Sequence, residues 1–159
     1  MRKLLSGGLV VFAGVVSPVA ISHRQTTHVQ LSPPEHRNDL RSAALRKFFQ
    51  KTDCPAQHYS EAFVEAADRY ELDWRLLPSI SFVESTGGKL ARKNNLFGWD
   101  SGNAEFATAV ESIHRVGYRL AHSDLYRDKS LDKLLATYNP SAGYGHKVKS
   151  IMRRIAAEK

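Results

Sequence analysis

A glutamate at position 84 is the side chain in this sequence best suited to act as a proton donor. Leu77 and Ile80 precede it at helical spacing, so Glu84 is expected at the border of the buried face of a helix. Gly87 and Gly88 end that helix just beyond Glu84, which places its carboxyl group near the negative end of the helix dipole. Partial burial and the dipole both disfavour the charged carboxylate, as general acid catalysis near neutral pH requires. A solvated glutamate near a helix end is the alternative.

Two aromatic residues follow in a glycine-containing segment, residues 94–101 (NNLFGWDS). Aromatic rings on a rigid turn can lie against the apolar face of a sugar, while asparagine and serine side chains can hydrogen-bond its hydroxyl groups. We therefore predict that Asn95, Phe97 and Trp99 bind substrate. Packing in the core is the alternative role, for Phe97 above all.

Other common catalytic and metal-binding patterns are absent from the sequence. The seven histidines never take the spacing of metal ligands, and no phosphate-binding glycine loop or local Ser-His-Asp signature occurs. Cys54 is the single cysteine, so no internal disulfide can form, and nothing beside it indicates an activated thiolate. We expect neither a metal nor a cofactor.

Apolar residues recur at helical spacing from Asp39 onward and predict a mainly α fold with one core. The predicted helices run from about 39 to 50, after Ser60, from Asp73 as N-cap, after Thr108 as N-cap, after Ser130, and from about Tyr144. Pro78 would fall in the second turn of the third helix, where it would remove a backbone hydrogen bond and bend the helix. Residues 85–106 are rich in glycine and asparagine and predict one irregular insertion of loops or a short hairpin.

The amino-terminal residues have the pattern of an export signal. A basic head, residues 1–3, precedes residues 4–21, which carry no charge. We predict a signal peptide over residues 1–22, cleaved after Ser22; an uncleaved membrane anchor is the alternative, since about 18 apolar residues can barely span a bilayer. Residues 23–37 are polar and contain Pro33-Pro34, so we assign them to a flexible linker and residues 38–159 to the folded domain.

The chain carries a net charge of +7, which favours polyanionic surroundings. For an exported protein these are cell-wall polymers or anionic lipid headgroups more naturally than nucleic acid. The basic residues are spread along the chain, so much of the excess is expected on solvated helix faces. We expect a monomer that touches a membrane only through its leader, if the leader is not cleaved.

Three motifs occur in a fixed order: VESTGG at 83–88, NLFG at 95–98, and YNP at 138–140 with Tyr144 before the last helix. Together, over roughly residues 58–157, the sequence resembles the bacterial glucosaminidases of the mannosyl-glycoprotein endo-β-N-acetylglucosaminidase-like domain, which have a lysozyme-like helical fold. Glu84-Ser85 and Tyr138-Asn139 are also similar to the lytic transglycosylases of that fold. Pro78, Trp99 and a short insertion after Gly98 depart from the glucosaminidase pattern.

The resemblance implies a peptidoglycan hydrolase, exported to the periplasm or the extracellular cell wall. It would cleave a β-1,4 bond of the glycan strand on the N-acetylglucosamine side, with Glu84 as the acid. Tyr138 would line the cleft opposite the acid and orient substrate or water, and Asn139 and Tyr144 would bind substrate. A lytic transglycosylase and a non-catalytic wall-binding or assembly module remain as alternatives.

A second catalytic carboxylate is harder to assign from the sequence. Inverting and retaining glycosidases both use one, at different distances from the acid. Asp100 and Glu105 are the nearest candidates in the irregular segment, and we favour Asp100. Glu111 is better explained as the capping partner of Thr108. Related enzymes use the acetamido group of the substrate instead, so hydrolysis does not require a second protein carboxylate.

Overall fold

The computed structural model describes residues 39–158 of the chain. The predicted signal peptide, its cleavage point and the linker lie outside this range. Within it, no helix is both long and apolar enough to cross a membrane. The helices are α1 (Leu40–Lys51), α2 (Ser60–Arg69), α3 (Leu76–Ser85), α4 (Ala109–His122), α5 (Leu131–Tyr138) and α6 (Tyr144–Ala156), with short 3-10 helices at Pro55–Tyr59 and Asp100–Gly102.

The mainly helical fold predicted from the sequence is confirmed. Helix α4 begins as its capping residues predict, because the Thr108 hydroxyl oxygen accepts a hydrogen bond of 3.0 Å from the backbone N–H of Glu111. The Glu111 carboxylate in turn accepts a bond of 2.8 Å from the N–H of Ala107, one residue before the cap. One of the unpaired N–H groups of the first helical turn and the N–H just before the cap are therefore satisfied locally.

The predicted start of α3 at Asp73 was wrong, since the helix begins at Leu76. The Asp73 carboxylate accepts a 2.9 Å bond from the N–H of Arg75, and its carbonyl oxygen accepts one of 2.8 Å from Leu76, so it caps a turn instead. Pro78 consequently occupies the third helical position rather than the second turn. The first helical residues have no intrahelical acceptor for their N–H groups, so Pro78 removes no helical hydrogen bond.

Helix α3, which carries Glu84, is surrounded by the other helices. It packs against α6 and α2, and the core between them includes the fully buried Ile80, Phe63 and Ile155. A Cβ on Gly117 of α4 would lie 2.9 Å from the ring of Tyr70 and 3.2 Å from Leu77. This close approach of α4 holds the N-terminal half of α3 in place. Together with the contacts to α6 and α2, it sets the direction in which the last turn of α3 points.

The insertion between α3 and α4 is irregular. No strand occurs in the part of the chain that the structure describes; in place of a hairpin there is one isolated antiparallel bridge between Arg92 and Asn95. The bridge is followed by the 3-10 helix Asp100–Gly102. The insertion therefore reaches over the end of α3 as a set of tight turns.

Candidate active site

A pocket of about 900 Å³ opens where the end of α3, the insertion, α4 and α5 meet. Its lining residues are Glu84, Phe97, Gly98, Trp99, Asp100, Ser101, Gly102, Ala104, Arg119, Tyr126, Tyr138 and Asn139. They come from segments far apart in the sequence. Concave pockets of this size, with a few polar groups among aromatic walls, are typical of small-ligand sites.

Glu84 supplies the most unusual polar atom of the pocket. The residue lies in the last turn of α3 and is half-buried, and its Oε1 is shielded from solvent without a hydrogen-bond partner. No lysine, arginine or histidine among residues 39–158 forms an ion pair with it. Buried polar atoms are nearly always paired, so an unpaired carboxyl oxygen on a residue that lines a pocket suggests a function.

Gly98 brings the backbone of the insertion directly against this carboxyl group. Its φ is +59°, a left-handed conformation that favours glycine, and a Cβ built there would lie 2.8 Å from Oε2 of Glu84. Only glycine fits this position without moving the carboxyl group. The glycine of the NLFG motif therefore sets how closely the loop approaches the acid.

Ser85 ties the end of α3 to the same loop. Its hydroxyl donates a hydrogen bond of 2.7 Å to the carbonyl oxygen of Leu96 and accepts one of 3.0 Å from the N–H of Gly88. Ser85 is 3% exposed, so these bonds are sheltered from water. One side chain next to Glu84 thus holds both the helix end and the loop that covers it.

Asn95 holds the next turn of the insertion together. Its side-chain oxygen accepts a bond of 2.9 Å from the N–H of Trp99, and its amide nitrogen donates to the carbonyl oxygens of Trp99 at 2.9 Å and Ala104 at 3.3 Å. Asn95 is 4% exposed and does not line the pocket. Its hydrogen-bonding groups serve the backbone, so the structure gives it a loop-holding role and leaves it little capacity to bind a sugar.

Tyr138 joins α5 to the insertion from the opposite wall. Its hydroxyl donates a bond of 2.7 Å to the carbonyl oxygen of Phe97, so its proton is already engaged. Its ring lies 5.8 Å from that of Trp99 and stacks at 6.0 Å, with an angle of 11°, on the ring of Tyr144. Tyr138 therefore faces the pocket mainly as an aromatic surface.

Three tyrosines keep the surroundings of Glu84 neutral. Burial, and then the neighbouring Glu84 carboxyl group, raise the pKa of Tyr138 and of Tyr144 well above the usual range. Burial also raises the pKa of Tyr126. The Tyr144 hydroxyl lies near Glu84, yet neither it nor Oε1 completes a hydrogen bond of normal geometry. All three phenols are uncharged at physiological pH.

Trp99 forms the outer aromatic wall of the pocket. It is half-buried, with its ring 6.3 Å from the ring of Tyr126. The guanidinium carbon of Arg119, on α4, lies 5.8 Å from the centre of the Trp99 ring, within the range of a cation–π interaction. Part of the tryptophan surface therefore stays available to a ligand.

The predicted second carboxylates lie in a different environment from Glu84. Asp100 lines the pocket but is exposed, and it adopts a left-handed φ of 53° in the 3-10 turn. Glu105 is exposed, lies outside the pocket and forms an ion pair of 3.8 Å with Lys93. The pocket lining therefore contains two acidic residues, of which one is shielded.

Six of the residues predicted from the sequence are among those that line this pocket: Glu84, Phe97, Trp99, Asp100, Tyr138 and Asn139. The side chain of Phe97 is only 1% exposed and packs in the hydrophobic core, which is the alternative role stated for it. Asn95 and Tyr144 lie behind its walls. The sequence reasoning missed Arg119 and Tyr126. Tyr126 is an isolated aromatic residue in the polar segment after α4, and Arg119 precedes the buried Leu120. Either pattern could have drawn attention, but neither shows which residues lie next to it in the folded protein.

Within residues 39–158, no cluster of three or more histidine, cysteine, aspartate or glutamate side chains could hold a metal ion. Comparisons of this chain with protein-family models, curated proteins and solved structures gave no match. The chemistry of the pocket must therefore be inferred from its own residues.

Proposed function

We propose that this protein is an exported peptidoglycan hydrolase, an endo-β-N-acetylglucosaminidase that cleaves β-1,4 bonds of the glycan strand with Glu84 as general acid. The observation that carries the proposal is that Glu84, whose Oε1 is shielded and unpartnered, lines a pocket of about 900 Å³ with aromatic walls. The motif resemblance described above supports the choice of glycan.

A glycosidic bond in this pocket would break by proton transfer from Glu84. The carboxyl group donates its proton to the glycosidic oxygen as the bond from that oxygen to the anomeric carbon lengthens. Water then adds its oxygen to the anomeric carbon and releases a proton, which returns the carboxyl group to its starting state. The close approach of Gly98 limits the movement of Glu84, which favours a fixed donor geometry.

The aromatic walls are suited to hold a sugar ring in place. Trp99, Tyr126 and Tyr138 line the pocket with uncharged rings, and the face of such a ring can pack on the C–H surface of a pyranose. Asn139 at the end of α5 also lines the pocket; its side-chain oxygen accepts a bond of 3.0 Å from Ser141, which leaves its amide nitrogen free to donate to a sugar hydroxyl.

One observation favours a second candidate, a lytic transglycosylase. Asp100 is exposed at the pocket mouth, so among the lining residues no second shielded carboxylate accompanies Glu84. A transglycosylase needs one acid, because a hydroxyl group of the substrate itself attacks the anomeric carbon and closes an anhydro ring. Mass spectrometry of the products separates the two reactions: reducing N-acetylglucosamine ends support the hydrolase, and anhydro ends support the transglycosylase.

The test of the proposal is the Glu84→Gln variant acting on purified peptidoglycan. We expect normal folding and a loss of at least about 100-fold in rate, the usual size of a general acid contribution. Glu105→Gln is the matched control, because it makes the same change of side chain in the neighbouring insertion, outside the pocket. Cell-wall clearing by Glu84→Gln at a near-normal rate would contradict the proposal. Binding of peptidoglycan by the unmodified protein without any release of fragments would indicate a non-catalytic wall-binding module.

A further inference from the structure

The pocket contains one positive charge that the proposed reaction does not use. Among the described residues that line the pocket, Arg119 is the only basic one. Its guanidinium group forms no ion pair and no hydrogen bond with residues 39–158, although Asp100 lines the same pocket. Other arginines on this helix and after it are paired: Arg115 with Glu111 at 3.3 Å and Arg127 with Asp124 at 2.9 Å.

This guanidinium group belongs to an exposed side chain of α4 and lies against one aromatic ring. It lies 5.8 Å from the centre of the Trp99 ring. Its charge also acts on Tyr126: burial raises the pKa of Tyr126, and Arg119 opposes that rise. A guanidinium group is planar, and its paired N–H donors suit bidentate bonds to a carboxylate.

We infer that Arg119 forms a subsite for a carboxylate carried by the glycan substrate. The inference rests on the proposed function and narrows its substrate class to acidic glycans over neutral ones such as chitin fragments. Peptidoglycan offers such a group in two forms: the lactyl carboxylate of strands without peptides, and the carboxylates of the attached peptides. Arg119 would act by binding and positioning, with Glu84 unchanged as the acid.

The experiment measures binding on the Glu84→Gln background, so that no turnover disturbs it. Three ligands are compared by calorimetry: a neutral N-acetylglucosamine oligomer, peptide-free glycan strands, and strands with peptides. We expect tighter binding of one or both acidic ligands, and Arg119→Gln should reduce the ratio of acidic to neutral affinity at least about fivefold. The acidic ligand that no longer binds more tightly than the neutral oligomer in the Arg119→Gln protein identifies the source of the carboxylate.

Two matched variants separate charge from packing. Arg153→Gln removes the same charge from α6 outside the pocket and should leave the affinity ratio unchanged. Arg119→Lys keeps the charge but not the paired planar donors, so its affinity ratio should lie between those of the unmodified protein and Arg119→Gln. If Arg119→Gln weakens the binding of all three ligands equally, the inference is overturned in favour of packing on Trp99. Equal binding of all three ligands by the Glu84→Gln protein would overturn the inference alone. No binding of any glycan would overturn the proposed function as well.

Discussion

The two ends of the pocket are built in different ways. Around Glu84, side chains hold the backbone: Ser85 bonds to Leu96, Asn95 bonds to Trp99, and Tyr138 bonds to Phe97. At the mouth, the 3-10 turn Asp100–Gly102 is held by backbone bonds, such as the 2.9 Å bond from the N–H of Gly102 to the carbonyl oxygen of Gly98. The inner end is buried and cross-linked, and the mouth is exposed.

Left-handed backbone occurs at both ends of the pocket: Thr86 and Gly98, at the inner end, have φ values of 53° and 59°, whereas the mouth has two adjacent non-glycine residues in this conformation. Asp100 and Ser101 both have φ values of 53°, and Gly102 follows with 85°. Left-handed conformation costs an ordinary residue roughly 1–2 kcal/mol, so this turn stores strain that no side-chain contact offsets. We therefore expect the proposed reaction to depend on the cross-linked inner end, and the mouth to adjust to the ligand.

The difference between the two ends of the pocket can be tested most directly at two glycines, one at each end. Gly98 and Gly102 both have left-handed φ, but a Cβ meets Glu84 at 2.8 Å from Gly98 and nothing within 4 Å from Gly102. We expect Gly98→Ala to lower kcat about 100-fold, because displacing a catalytic group by about 1 Å has that effect. Gly102→Ala carries the same backbone strain and should keep most of the activity, as measured by release of soluble fragments from cell walls. Equal losses in the two variants would mean that backbone strain, and not the Glu84 contact, governs the rate.

A second, smaller effect is expected at Asn95. Asn95→Ala leaves the N–H of Trp99 and the carbonyl of Ala104 without their partner, and each buried unsatisfied group costs about 1–3 kcal/mol. The Trp99 carbonyl keeps the backbone N–H groups of Gly102 and Ala104 as donors. We expect the free energy of unfolding to fall by at least about 2 kcal/mol in urea titrations. Asn103→Ala is the control, because Asn103 is exposed and its side chain makes no hydrogen bond with the described residues. A stability within about 0.5 kcal/mol of the unmodified protein would show that the mouth holds this loop without Asn95.

The helices could be predicted from the sequence because their signals are local. Thr108 caps α4 through a bond to Glu111, three residues away. The start of α3 could not, because Asp73 is an equally good capping residue for the turn that it forms with Arg75. Whether a turn or a helix forms at that point depends on packing against distant residues, which a local sequence pattern does not show.

Part of the site could be predicted for the same reason. The spacing of Glu84 from Leu77 and Ile80 placed it at the edge of the core, and the structure leaves it half-buried. Arg119 and Tyr126 reach the pocket only through the packing of α4 and the segment that follows it. The role of Asn95 could not be predicted from the sequence either, because an asparagine side chain can hydrogen-bond a ligand or the neighbouring backbone. Which of the two it does depends on the conformation of the turn around it.

The smallest effect is expected at Asp100, where the sequence suggested a second catalytic group. Its carboxylate is exposed and makes no ion pair within the described residues, so it is in contact with solvent. A catalytic base shielded inside the pocket would not be. Asparagine tolerates left-handed φ well, so Asp100→Asn should leave the turn and the stability unchanged. We expect kcat to stay within about threefold of the unmodified protein, which would assign the attack on the anomeric carbon to water that acts without this carboxylate or to a group of the substrate. A fall comparable to that of Glu84→Gln would instead make Asp100 the second carboxylate of an inverting or retaining pair, and would mean that the mouth closes over the substrate during the reaction.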